Sequence, residues 1–215
     1  MFKLQTEFYI RDRVVDVARD LLGKVLCSCI NDRLTKAVIT ETEAYAGVED
    51  RASHAYGGRR TPRTEPLYDE GGIAYVYLCY GIHHLFNVVT SRQDDPHAVL
   101  IRAGSPLLGI DDMLKRRSKK SIDKTLLAGP GSLARALGIR TGLSGTSLSG
   151  NQIWIEDHDF FISDDSVTAG PRVGVDYAGG DASRPYRFIV HSSTSPLVSR
   201  LSRRFTPDDP AGRSS

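Results

Sequence analysis

The segment Ile39-Thr-Glu-Thr-Glu-Ala-Tyr45 holds the residues best suited to chemistry. On a β-strand successive side chains alternate between two faces. Ile39, Glu41, Glu43 and Tyr45 are therefore expected on one face, and Thr40, Thr42 and Ala44 on the other. Glutamate is a poor choice for a strand core unless it has a partner or a task. Taken alone, the segment is better read as an exposed edge with two solvated glutamates. A second segment, Ala74-Tyr-Val-Tyr-Leu-Cys-Tyr-Gly81, alters that balance. Tyr75 and Tyr77 share a strand face, where tyrosines are ordinary packing residues. Tyr80 stands beside Gly81, where the strand should turn, and can project as a rigid aromatic wedge.

Together these residues match what extraction of a nucleobase from a duplex demands. A wedge must fill the gap in the stack. Flat aromatic walls must take the base, at roughly 1–3 kcal/mol of stacking each. An acid must activate water, and cations must hold phosphates. Tyr80 is the candidate wedge, and Tyr45, Tyr77 and His54 are candidate walls. Glu43 is the candidate base, and Arg59, Arg60 and Arg63 are candidate phosphate contacts. Any ligand pocket uses aromatics and acids, so the fit is not unique.

Three basic runs stand out against a net charge of only +2: Arg51 to Arg63, Lys115 to Lys120 (KRRSKK), and Arg200, Arg203 and Arg204. Each by itself is most simply a solvated face; together they could frame a phosphate-contacting surface. No stretch approaches the roughly 18 apolar residues of a membrane span. Met1 to Tyr9 lacks a secretion pattern. Three cysteines, Cys27, Cys29 and Cys79, form an odd and sparse set, which argues for a reducing compartment. Cys27 and Cys29 alternate along an expected strand as buried thiols, and no matching pair completes a zinc site.

The 215 residues, 40% of them hydrophobic, suffice for a sizeable core without staples. One helix is expected over Asp12 to Leu22, with Val14, Val15, Ala18, Leu21 and Leu22 as its apolar face. Strands are expected at Lys24 to Ile30, Ala37 to Tyr45 and Ile73 to Leu78. Further strands should end near Asn87 to Thr90 and cover Ala98 to Arg102. His54 to Gly72, rich in Gly and Pro, reads as a long functional loop. Ser105-Pro106 reads as a helix start running through Met113 and Leu114, and Pro130 as another, stopped by Gly138. Strands return at Gln152 to Glu156, Phe160 to Ile162, and Tyr186 to His191. The expected fold is a single α+β domain over residues 1–205, built on a curved, mostly antiparallel sheet. A loose tail is expected at 206–215.

Six blocks run in order along nearly the whole chain. They are ETEAY (41–45), SHAYGGRRTPR (53–63), YVYLCYGIHHLFNVV (75–89), VLIRA (99–103), AGPGSLARALGI (128–139) and PRVGVDYAG (171–179). Jointly they resemble the 3-methyladenine, or alkyladenine, DNA glycosylase family, in its compact bacterial form. The resemblance implies a monofunctional enzyme of base excision repair that hydrolyses the N-glycosidic bond of a flipped, damaged purine. It assigns Glu43 to water activation, Tyr45, Tyr77 and His54 to the base sandwich, and Tyr80 to intercalation. It assigns Asn87 to the pocket floor, as a test for a guanine amino group, and Arg102 to holding water and sugar-phosphate. Backbone groups of Val173, Gly174 and Val175 complete the site, and Leu67 is a residue reaching into the duplex near the lesion.

No lysine lies in these blocks, so simple hydrolysis without a Schiff base is expected. No cofactor or metal is expected. The expected partner is double-stranded DNA, met by a monomer in the bacterial cytoplasm with the nucleoid. Two rival readings carry less weight. A metal-dependent hydrolase would draw on Glu41, Glu43, His54, His83 and His84, but their spacing matches no metal motif. In a non-catalytic binding module, a carboxylate near phosphates would only weaken binding.

Overall fold

The computed structural model describes residues 1–191. The expected tail, the proposed domain end at 205 and the arginines at 200, 203 and 204 lie outside the described residues. Among the described residues nine strands form one sheet in which every pair is antiparallel. In chain order the elements are β1 (Phe2–Lys3), α1 (Thr6–Tyr9), α2 (Val14–Asp20), β2 (Val25–Ile30), β3 (Arg33–Tyr45), β4 (Ala74–Cys79) and β5 (His83–Thr90). They continue with β6 (His97–Leu108), α3 (Ile110–Arg117), α4 (Pro130–Leu137), β7 (Ile153–Asp157), β8 (Val167–Gly170) and β9 (Arg187–Val190). The main order is β1-β7-β2-β3-β6-β5-β4, and β9 joins β3 beyond the end of β2, carrying β8 with it. This is the expected curved α+β architecture. Among the described residues no helix is long and apolar enough to cross a membrane.

Helices α2, α3 and α4 bury their apolar sides against the sheet. Val17, Ala18, Leu21, Met113, Leu133 and Leu137 join Ile39, Phe86, Val99 and Ile101 in the main core. Turn chemistry fixes the register of the first hairpin. Asn31 and Asp32, with φ of 53° and 59°, make a two-residue turn between Ile30 and Arg33. Both types tolerate the left-handed region that such turns need.

The alternation expected along β3 breaks in the middle. Ala37 and Ile39 lie in the main core, and so does Ala44, which has the opposite parity. The Thr42 hydroxyl donates to the Ala18 carbonyl of α2 at 2.8 Å, on that same side. The register between β3 and β6 is irregular on both sides of Glu41, and neither Thr40 nor Arg102 has a partner there. A bulge of this kind shifts the side-chain parity. Glu43 and Tyr45 therefore point away from the core that Ile39 enters, and Ile39 does not share their face.

Two other expectations are corrected. Ser105 and Pro106 belong to β6, and helix α3 begins only at Ile110. Pro106 is tolerated because β5 pairs with β6 only as far as Leu100, and a β3 register shift lies beside it. Gly109 is the turning point instead: its φ is 74°, and a Cβ there would sit 2.3 Å from the Leu34 carbonyl oxygen. Phe160 to Ile162 is not a strand. The ladder partner of β9 is β8, a few residues later, and Phe161 is exposed.

Candidate active site

A cavity of about 460 Å³ opens between β3, β4, β5, β6, the 52–67 loop and the 173–177 turn. Its lining includes Tyr45, His54, Arg63, Leu67, Tyr77, Tyr80, Asn87, Arg102 and the run Val173-Gly174-Val175. Residues up to 130 positions apart thus converge, and most of the expected site lies in one place.

Glu43 does not line the cavity: it is entirely buried behind the wall, in contact with the lining residues Tyr45, Arg102 and Val173. A buried carboxylate is costly unless paired and hydrogen-bonded. Glu43 accepts two hydrogen bonds, from the Tyr45 hydroxyl at 2.8 Å and the Val173 N–H at 2.8 Å, and forms an ion pair with the Arg102 guanidinium at 3.2 Å. The (i, i+2) relation on β3 aims Tyr45 back at Glu43. Gly174, with φ of 76°, allows the turn that presents the Val173 N–H. Arg102 also donates to Glu41 at 2.7 Å, and Glu41 accepts from Arg187 at 2.8 Å. Glu41 is therefore not a solvated edge residue; it joins two arginines beside Glu43. Burial works against the Arg102 charge, but Glu43 and Glu41 outweigh it and raise its pKa. Burial, seconded by the neighbouring Glu43, pushes the Tyr45 phenol well above the usual tyrosine range.

The opposite wall is aromatic. Tyr75 and Tyr77 project from one face of β4, with ring centres 5.5 Å apart. His54 meets Tyr77 edge-on at 4.5 Å, and its Nδ1 lies 2.8 Å from the Tyr75 hydroxyl. Burial first, then Arg63 and Arg59, lower the His54 pKa to about 4. The ring is neutral at physiological pH. Asn87 lies opposite Tyr75 on β5, and its side-chain N–H donates to the Tyr75 carbonyl at 3.1 Å. That bond fixes the amide in the pocket floor.

Tyr80 is 91% exposed at the three-residue tip joining β4 to β5, with φ of 50°. A left-handed tyrosine is uncommon and costs of the order of 1–2 kcal/mol. The tip holds its ring out beside the cavity mouth, with Ile82 also exposed. Leu67 is different. It is 2% exposed and packs with Tyr68 and Tyr75, so it lines the cavity wall and does not reach outward as expected.

The expected phosphate contacts divide. Arg60 is paired to both Glu65 and Asp94 at 2.7 Å, which offsets its charge. Arg63 lies 5.2 Å over the Tyr77 ring, within the cavity lining. Arg59 is exposed at the surface of the loop. His83 and His84 line a separate cleft from His54.

Sequence reading missed the support behind the floor. Asp50 and Arg172 form a fully buried ion pair, and Arg172 also donates to the Ala44 carbonyl at 2.9 Å. Its guanidinium lies 4.9 Å from the Tyr45 ring and 5.3 Å from that of Tyr186. Arg172 thus steadies Tyr45 from behind and fixes the residue preceding Val173. The only signal was its place inside the PRVGVDYAG block; nothing marked Asp50 as its partner.

The methylpurine-DNA glycosylase family model matches residues 7–194. Curated relatives provisionally named 3-methyladenine DNA glycosylase align almost end to end. One from Chlamydia abortus is 46% identical over 189 residues, covering 87% of this chain and 98% of its own length. One from Desulfitobacterium hafniense is 44% identical over 200 residues, covering 90% and 97%. A third, from Chlamydia felis, is 43% identical over 196 residues, covering 91% and 100%. With most of its length matched by that family model and its relatives, this chain belongs to the methylpurine-DNA glycosylase family.

Proposed function

We propose that the protein is a monofunctional DNA-3-methyladenine glycosylase. It takes a damaged purine, extruded from double-stranded DNA, into the aromatic cavity and hydrolyses its bond to the sugar. The single observation that carries this reading is the placement of Glu43: a carboxylate under a purine-sized aromatic pocket, held by Tyr45, Val173 and Arg102. The names of the relatives support an alkylated purine as substrate.

In the reaction, water attacks C1′ of the sugar and loses its proton to Glu43. The N-glycosidic bond breaks, and its electron pair leaves with the base. The sugar develops positive charge, which the carboxylate stabilises. Tyr77, Tyr45 and the neutral His54 attract a cationic alkylated base, at roughly 0.5–2 kcal/mol per cation–π contact. Neutrality of His54 matters here, because a protonated ring would repel the same base. A carboxylate has about four acceptor sites, and the two hydrogen bonds and the Arg102 ion pair leave room for water. Glu43 is sealed from solvent, however. Water therefore reaches it only when Tyr45 or the Val173 turn gives way, and entry of the base is the event that moves them. Tyr80 fills the vacated stack, and Arg102 steadies the sugar-phosphate. Deaminated purines such as hypoxanthine fit the same walls but leave less readily. The product is an abasic site, and among the described residues no lysine lines the cavity to make a Schiff base. The protein works as a monomer in the bacterial cytoplasm, on the nucleoid.

Release of free base from duplexes carrying 3-methyladenine, 7-methylguanine, ethenoadenine or hypoxanthine tests this directly. Glu43→Gln should keep lesion binding and lower single-turnover excision by about 10²–10⁴-fold, the usual contribution of a general base. A fully active Glu43→Gln enzyme, or a covalent DNA adduct trapped by borohydride, would overturn the mechanism.

A further inference from the structure

On the far side of the β4–β5 tip lies a second cleft, larger than the first at about 800 Å³. The two adjoin. Tyr80 and Pro130 line the cavity, and Ile82 and Gly131 line the cleft, so the hairpin tip and the start of α4 form the partition between them. The cleft has Arg116, Arg117, Arg135, Arg140, His83 and His84 in its wall, and among the described residues no acid lines it.

Some ionic groups elsewhere on this surface are matched, as Arg11 is with Asp20, Arg19 with Asp164 and Arg60 with two acids, while others, such as Arg33 and Arg92, form no ion pair among the described residues. Among the described residues the cleft arginines hydrogen-bond only to neutral groups. Arg116 donates to the Ala136 carbonyl at 3.1 Å, Arg117 to that of Leu126 at 3.2 Å, and Arg135 to that of Arg116 at 2.6 Å. Arg135 and Arg140 are exposed. Burial, with Arg140 as the second cause, lowers the His84 pKa, and burial lowers that of Arg116, where Arg33 opposes and Asp112 favours its charge. Positive charge is concentrated along this cleft, with Asp112 acting on Arg116 from outside its lining, and an anion bound there would offset the repulsion.

We propose that this cleft is a second DNA contact, which holds backbone phosphates of the duplex on the side of the Tyr80 wedge away from the base cavity. The inference rests on the function proposed above. A duplex with its stack opened at Tyr80 must continue past Ile82, and the acid-free arginines lie where it passes. Guanidinium forks suit phosphate oxygens. Holding the duplex on both sides of the wedge resists the recoil that would return the base to the stack. The basic run KRRSKK, which the cavity does not use, contributes Arg116 and Arg117 to this cleft.

Arg135→Ala/Arg140→Ala tests the cleft without touching the cavity. Fluorescence anisotropy with an undamaged duplex, over a series of salt concentrations, reads the cleft independently of any excision. Losing two phosphate contacts should make the log–log salt slope shallower by about 1.8. Arg135→Lys/Arg140→Lys should restore most of that slope, and circular dichroism should show an unchanged fold. With lesion duplex, the half-saturating enzyme concentration should rise and the maximal single-turnover rate should fall, because the bound base returns more readily to the stack. An unaltered slope and affinity in the alanine variant would overturn the cleft proposal, whether or not base is released. Absence of base release by the wild-type protein, with the slope difference intact, would instead overturn the glycosylase reading and leave the cleft as a DNA contact.

Discussion

The floor and the rim of the cavity are built on opposite physical terms. At the floor, Glu43, Asp50 and Arg172 are buried ions, and each carboxylate accepts several hydrogen bonds. At the rim, Tyr80, Ile82, Val173 and Tyr177 expose apolar surface, and Tyr80 does so from a left-handed backbone. The floor stores the cost of charge burial in a network that cannot easily rearrange, as preorganised catalysis demands. The rim keeps surface unsatisfied, as a surface awaiting a partner does. Between them, one strand pair joins the cavity's aromatic wall to the rim: β4 and β5 carry Tyr75 and Asn87 at their inner ends and Tyr80 at the tip.

That contrast breaks if either region behaves like the other. The largest effect is expected at the floor. Asp50→Ala strands the Arg172 guanidinium, and removing one member of a buried pair costs about 3–5 kcal/mol. Urea denaturation should show that loss. A change below about 1 kcal/mol would mean that the floor does not depend on the pair. The rim should respond in the reverse sense. Asn tolerates the left-handed region better than Tyr, so Tyr80→Asn should leave stability unchanged or raise it by about 1 kcal/mol. It should still lower lesion excision about tenfold or more, because nothing fills the stack. A 2-aminopurine signal for flipping that matched the wild type would remove Tyr80 from the role of wedge.

An effect confined to acid pH belongs to His54, in the wall between them. Unfolded histidine takes a proton below pH 6.5, and folded His54 only below about 4. Between those values the unfolded chain holds the extra proton, so acidification favours unfolding. The wild type should lose stability from pH 6.5 toward 4 more steeply than His54→Gln, and the two should run parallel above 6.5. Parallel curves through the whole range would show that the ring protonates freely in the folded state.

Much of the site was legible in the sequence because its residues lie in short blocks with strand periodicity or turn signals. Glu43 with Tyr45, Tyr75 with Tyr77, and Tyr80 before Gly81 all follow from local geometry. The Ser105-Pro106 helix start failed because a capping pattern is local, while an open strand edge that admits proline is tertiary. Phe160 to Ile162 failed because an apolar run cannot reveal whether a ladder partner exists. Leu67 was assigned outward because nothing in a long loop distinguishes a side chain that folds inward.

By itself the sequence determined the strand and helix alphabet, the aromatic and acidic residues of the cavity, and the family that they resemble. Side-chain period and turn preference act over a few residues, so those features survive reading in one dimension. Only the tertiary structure decided that a bulge turns Glu43 and Tyr45 away from the face of Ile39. It alone joined Asp50 to Arg172 across 122 residues, and drew arginines from α3, α4 and the turn after α4 into one acid-free cleft. Ion pairs and bulges depend on which distant strand or loop arrives opposite, and that is set by the closure of the sheet, not by neighbours in the chain.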